Sequence, residues 1–120
     1  MSKEKIFIFD TTLRDGAQTE GVDFSVQDKI KIAKVLSEVG VDYIEGGWPG
    51  ANPVDTEFFS KPLNLDKSIF TAFGMTKKTG RSAENDPSLS PLINTFCPAV
   101  CVVGKAWDFH VKIALGISNE

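Results

Sequence analysis

Between Phe9 and Gly21 the chain reads FDTTLRDGAQTEG, a carboxylate, two hydroxyls, an arginine and a second carboxylate directly behind an apolar run over residues 6–9. Arg14 and Asp15 have the plainest chemical use. A guanidinium offers planar donors to a carboxylate or a developing enolate oxygen, and a carboxylate beside it can ligate a divalent cation. A third charged residue, Glu45, ends a second apolar segment at 41–45. If both segments are strands of one parallel sheet, the three charges share the edge where loops converge and ligands bind in parallel α/β folds. The same residues also fit a surface turn with Glu45 as the salt-bridge partner of Arg14, and physics alone favours neither arrangement.

Several elements must position these residues. Residues 6–9 are β-branched and aromatic without alternation, which predicts a strand buried on both faces. Ser25, three residues before Asp28, forms a weaker version of the capping box and opens VQDKIKIAKVLSEVG. There Val26, Ile30, Ala33, Leu36 and Val39 recur at helical spacing, Lys29, Lys34 and Glu38 lie off that stripe, and Gly40 supplies the stop. With a strand over 41–45 following at once, the first third predicts a right-handed βαβ unit. Further on, the sequence predicts a short helix over 53–59, a strand over 69–73, a second short helix over 89–96 and a strand over 99–103. Trp107, Phe109, Val111, Ile113, Leu115 and Ile117 alternate strictly, which on pattern alone favours a further strand.

Composition narrows the function classes. Of the 120 residues 42% are hydrophobic and 24% charged, an ordinary globular balance with enough apolar surface for one small core. A net charge of -3 gives no reason to expect nucleic acid as a partner. No apolar run approaches the roughly 20 residues of a membrane span, and MSKEKIFIF lacks a signal-peptide cleavage site, so the expected location is the cytoplasm. Cys97 and Cys101, spaced C-x-x-x-C with no second pair, fit neither a zinc clip nor a redox motif and read as reduced core thiols. GKA at 104–106 lacks the upstream glycine and the Ser or Thr of a phosphate-binding loop, and GGWPG at 46–50 reads as a tight loop. Four parallel strands fall short of the roughly 250 residues of a closed (β/α)8 barrel. Ser118, Asn119 and Glu120 read as the opening of a helix cap. The expected fold is therefore α/β, the N-terminal half of a (β/α)8 TIM barrel, with 1–120 a partial domain truncated at its C-terminal side.

DTTLRDGAQ, followed after ten residues by Lys29, resembles the signature of the pyruvate-carboxyltransferase-like, or DRE-TIM metallolyase, superfamily. That superfamily includes 2-isopropylmalate, homocitrate and citramalate synthases and hydroxymethylglutaryl-CoA lyase. VDYIEGGWPGANPVDTEFF, FTAFGMTKKTGRSAENDP and VGKAWDFHV are similar to its citramalate synthase branch. The resemblance implies a TIM-barrel catalytic domain and a Claisen-type condensation of acetyl-CoA with pyruvate, giving citramalate and CoA on the route to isoleucine. The alternatives within the family, 2-isopropylmalate and homocitrate synthase, differ in keto acid. The resemblance also implies residue roles: Arg14 holds the keto acid and stabilises enolate charge, Asp15 ligates a divalent metal (Mg²⁺, Mn²⁺ or Zn²⁺), and Glu45 completes the set. Gln18 and Thr12 are implied to hydrogen-bond around the substrate, and the complete enzyme to be a homodimer.

The family's His-x-His metal pair has no counterpart, since His110 is the only histidine, and it reads as a packed residue. Negligible turnover is expected of the 120 residues alone. Outside the enzyme class, the rival reading is a remnant serving only as a binding or assembly module. For 107–117 the resemblance favours a short helix over the strand. Lys77, Lys78 and Arg81 are candidates for the CoA phosphates, although a basic loop is more often simply solvated.

Overall fold

A computed structural model describes residues 2–119. Strands β1 (Phe9–Asp10), β2 (Tyr43–Gly47), β3 (Ile69–Met75) and β4 (Ala99–Val103) form one sheet in the order β1-β2-β3-β4, every neighbouring pair parallel. The order decides between two parallel architectures. A doubly wound sheet reverses direction at a switch point, whereas strands added one after another on the same side are the winding of a barrel. The expected N-terminal half of a (β/α)8 barrel is what the sheet displays.

Helix α1 (Val26–Val39) joins β1 to β2, and α2 (Pro53–Phe58) joins β2 to β3. The capping box at Ser25 is complete: its hydroxyl accepts from the Asp28 amide at 3.1 Å, and the Asp28 carboxylate accepts from the Ser25 amide at 3.0 Å. Gly40 ends the helix at φ 97°, a left-handed conformation that glycine adopts without strain. The expected stripe needs correction. Lys29, Ala33 and Ser37 are the buried residues of α1, while Val39 is exposed beside the terminating glycine. Ser37 is turned inward because its hydroxyl accepts from the Lys67 amide at 3.2 Å.

Asn52 caps α2, its side chain accepting from the Asp55 amide at 2.8 Å, with Pro53 in the first turn. The helix lays Phe58 and its neighbour Phe59 on Phe70 of β3, and these rings join Leu13, Ala33, Ile44, Ala72 and Leu92 in the core. A Cβ on Gly46 would overlap the Phe70 and Phe58 rings, so close packing of β2 on that aromatic cluster requires a glycine there.

The expectation of a doubly buried first strand fails. Ile6, Phe7, Ile8 and Phe9 are exposed rather than buried on both faces, because β1 is the outermost strand and pairs only with β2. Within 107–117, α4 (Asp108–His110) runs into a π-helical turn over Val111–Leu115, the short helix that the resemblance favoured rather than the strand that the alternation suggested. With no strand beside it to take up its backbone groups, that segment bonds within itself, so the resemblance predicted it better than the alternation did. Helix α3 (Ser90–Ile93) is shorter than expected. Of the proposed terminal cap, Glu120 lies outside the described residues.

Between β3 and α3 the chain is organised by Asp86. Its carboxylate accepts from the backbone amides of Lys78 and Ser88 and from the Ser88 hydroxyl, and these bonds hold its pKa near 2. A carboxylate with a depressed pKa stabilises the folded form above its ordinary range and stops doing so once protonated. The loop is therefore expected to loosen as pH falls from 3.8 toward about 2. Amide exchange at Lys78 and Ser88 measures this, and Asp86→Asn should abolish the pH dependence in that window.

Candidate active site

The site is built at the carboxyl ends of the strands. After β1 the amides of Arg14, Asp15 and Gly16 all donate to the Thr11 carbonyl, at 3.2, 2.8 and 3.1 Å, which coils the chain tightly. Asp10 braces this turn, accepting from the Thr12 amide and the Thr12 hydroxyl, each at 3.0 Å. Leu13 is fully buried beneath the turn and anchors it.

Arg14 is held from three directions. Its Nε donates to Glu45 Oε1, its guanidinium carbon lies 4.1 Å from the centre of the Phe73 ring, and Nη1 is 3.5 Å from Asp15 Oδ1. Glu45 lies within β2 and Phe73 within β3, so two strands and the turn after a third fix one guanidinium. The Glu45 side chain is 2% exposed and that of Arg14 21%. The pair is thus a buried one, which distinguishes it from the surface salt bridge that the sequence left open. A buried charge must be compensated, and here the carboxylate immobilises an arginine that still reaches solvent. Arg14 makes no other side-chain hydrogen bond among the described residues, leaving N–H donors for a ligand.

The other expected residues fall differently. Asp15 is 65% exposed, with its carboxylate turned to Arg14. Gln18 borders the same cleft as Arg14. Thr12 gives its hydroxyl to Asp10 instead of the cleft. His110 packs its ring against Trp107 and Phe109 on the exposed turn of α4.

Lys29 and Asp55 were missed as site residues. Lys29, expected off the buried stripe, is 2% exposed. Its ammonium donates to the carbonyls of Leu13 and Gly46, each at 2.8 Å, and to Asp55 Oδ1, which uses all three of its protons. The second Asp55 oxygen accepts from the Trp48 amide at 2.9 Å. One ion pair thus ties together the turn bearing Arg14, the end of β2 and the start of α2. Between Glu45 and Gly47 the β2 register shifts, and Gly47, at φ 150°, lies so close to Asp55 that a Cβ would come within 2.6 Å of its carboxylate. The signal was available as GG followed by an aspartate eight residues after Gly47, but it identifies no partner until the chain folds.

Cys101 on β4 lies beside Glu45. Burial, the Glu45 charge and a hydrogen bond to that carboxylate push its thiol above the ordinary range, partly offset by Arg14. A thiol pushed in that direction is a poor nucleophile at neutral pH. Cys97 donates to the Phe70 carbonyl at 3.3 Å and is pushed up to about 12 by burial. Both cysteines are free and partly buried, as expected of reduced thiols.

Arg14, Gln18, Lys29, Trp48, Asn52 and Asp55 border a cleft of about 400 Å³, a size suited to a small molecule. The residues present do not fit a divalent cation by themselves. Among the described residues no three His, Cys, Asp or Glu side chains converge, and Asp15 supplies one carboxylate where Mg²⁺ takes about six ligands. Also among the described residues, no helix is long and apolar enough to cross a membrane.

The HMGL-like family matches residues 5–120. The (R)-citramalate synthase of Aquifex aeolicus is 50% identical over 119 residues, a stretch covering 98% of this chain and 22% of that enzyme. The (R)-citramalate synthase of Sulfolobus acidocaldarius is 47% identical over 122 residues, covering 100% of this chain and 23% of the relative. A 2-isopropylmalate synthase of Sulfurisphaera tokodaii is more distant, at 36% identity over 121 residues, covering 100% of this chain and 30% of its own length. The chain therefore spans less than a quarter of the citramalate synthases to which it is similar.

Proposed function

The chain belongs to the HMGL-like family, and from that premise we propose that it carries the keto-acid-binding part of an acyltransferase that condenses acetyl-CoA with pyruvate. The products are (R)-citramalate and CoA, as the names of its more similar relatives suggest. The observation that carries the reading is a single arginine, fixed by a buried glutamate and an aromatic ring, with free donors at the mouth of a small cleft.

In the reaction the acetyl methyl group loses a proton, and the resulting carbon forms a bond to the keto carbon of pyruvate. Water then cleaves the thioester to release CoA and a proton. Negative charge moves from the enolate oxygen to the former keto oxygen, which takes up a proton to become the hydroxyl, so the loss from the methyl group is balanced and hydrolysis releases one proton overall. Arg14 is the residue that answers this charge, with N–H donors already oriented, so little reorganisation is needed as the charge develops. Glu45 is the positioning residue: its carboxylate accepts from the Nε–H and thereby fixes which face of the guanidinium meets the substrate. Gln18, on the same cleft, is a hydrogen-bond partner for the keto acid. Thr12 acts through Asp10 in holding the turn.

Asp15, exposed beside Arg14, would contribute one ligand to a divalent cation, which would supply Lewis-acid polarisation of a keto group. We also infer a homodimer for the complete enzyme and a cytoplasmic location, the latter in keeping with the free thiols.

Specificity is tested by supplying acetyl-CoA with pyruvate, 2-ketoisovalerate or 2-oxoglutarate to the longest form its gene encodes and following CoA release. Pyruvate should give the highest kcat/KM. A preference for 2-ketoisovalerate or 2-oxoglutarate assigns the chain to the isopropylmalate or homocitrate reaction instead.

A further inference from the structure

Both edges of the sheet are open. Among the described residues β1 pairs only with β2, and β4 pairs only with β3. Both edges are also apolar. Ile6, Phe7, Ile8 and Phe9 are exposed along the first, and Val100, Val102 and Val103 along the second. Neither residues 6–9 nor β4 contains a charge or a proline, two of the devices that keep a free edge from pairing with another chain. Beyond β4, Trp107, Phe109 and Ile113 are exposed as well.

The exposed area points the same way. The 13.1 kDa chain exposes 8311 Å², whereas a compact monomer of that mass exposes roughly 6,400 Å². Its Cα radius of gyration is 16.0 Å, against about 14 Å for a compact domain of 120 residues. Removing the excess area from two copies would bury about 3,800 Å² in total, within the roughly 2,000–5,000 Å² of obligate homodimers.

The curvature of the sheet selects how two copies meet. Cys101 of β4 lies beside Glu45 of β2 although β3 runs between them, and strands two apart stand roughly 10 Å from each other in a flat sheet. Arg14, after β1, likewise reaches Phe73 of β3 across β2. The sheet is therefore concave on the side of these groups, as a segment of barrel wall is. A barrel of eight parallel strands takes two such four-stranded segments.

We propose that two copies of this 120-residue chain close one eight-stranded barrel, β1 of each copy pairing with β4 of the other. A two-fold axis along the barrel keeps every strand parallel and leaves no edge, which limits the assembly to two chains. Pairing β1 with β1, or β4 with β4, leaves the other edge of each copy open. The proposal is independent of the acyl-transfer reading, because its test reads mass and proximity instead of activity.

Light scattering on the purified 120-residue chain should give about 26 kDa, twice the 13.1 kDa chain mass. Val102→Lys places a charge on the free edge of β4 and should give a monomer with unchanged circular dichroism. Which edges meet is read by cross-linking in a Cys97→Ser/Cys101→Ser background. A short bismaleimide should join Ile8→Cys chains to Val100→Cys chains when the two are mixed, and should join neither to itself. A monomeric wild-type chain overturns the proposal and leaves the edges to another occupant, either later residues of a longer form or a different protein. Cross-linking of Ile8→Cys to itself overturns it by showing that like edges meet, and a ladder of masses above two chains overturns it by showing an open-ended stack.

Discussion

Arg14→Lys is expected to lower kcat with pyruvate and acetyl-CoA by about 10²–10³, the loss typical of removing one oriented donor to a developing oxyanion. Lysine keeps the charge but not the geometry. Glu45 takes one guanidinium nitrogen while the others remain for substrate, and an ammonium at the end of a flexible stem cannot divide its donors in that fixed plane. It also loses the flat stacking on Phe73. Glu45→Gln, which retains an acceptor for Nε, should cost less than Arg14→Lys. Steady-state kinetics of both variants, with circular dichroism to confirm the fold, measure the difference. If Arg14→Lys retains wild-type kcat, the guanidinium is not what meets the reacting oxygens.

The second large effect concerns stability. Lys29→Met is expected to destabilise the protein by about 3–5 kcal/mol, the range for removing one partner of a buried ion pair. The substitution leaves the Asp55 carboxylate buried without its cation and deprives the Leu13 and Gly46 carbonyls of a donor. Asp55→Asn in the same chain should recover part of the loss, because an amide removes the uncompensated charge and can still accept from the Trp48 amide. Urea denaturation of the two single variants and the double variant measures the coupling. Additive losses would mean that Lys29 and Asp55 act separately.

The core of the fold was legible because it rests on local pattern. Ser25, Asp28 and Gly40 delimit α1 by capping chemistry alone, and the apolar content of β3 and β4 places those strands almost to the residue. What failed depended on neighbours. Residues 6–9 have the composition of a doubly buried strand, but burial needs a partner on each side and β1 has one on a single side. Lys29 looked like a solvent-facing helix residue because its side chain type and its position off the stripe both say so. Only folding brings the Leu13 and Gly46 carbonyls and Asp55 around it.

The candidate site divides along the same line. Arg14, Asp15 and Glu45 could be picked out from residue type at strand ends and from family resemblance, and the structure brings the three together. Phe73 beneath the guanidinium and Cys101 beside Glu45 carried no signal, since an aromatic and a thiol in strands read as core. Thr12 lay inside the most informative motif, yet its hydroxyl serves the turn.

The central claim is that these residues hold a keto acid for carbon–carbon bond formation with an acetyl thioester. The most direct measurement is carbon-13 NMR of the products formed from methyl-labelled acetyl-CoA and unlabelled pyruvate by the longest form its gene encodes. Label in the methylene carbon of citramalate, lost in the Arg14→Lys variant, is the predicted result. CoA release that does not depend on pyruvate, with the label recovered only in acetate, would contradict the account.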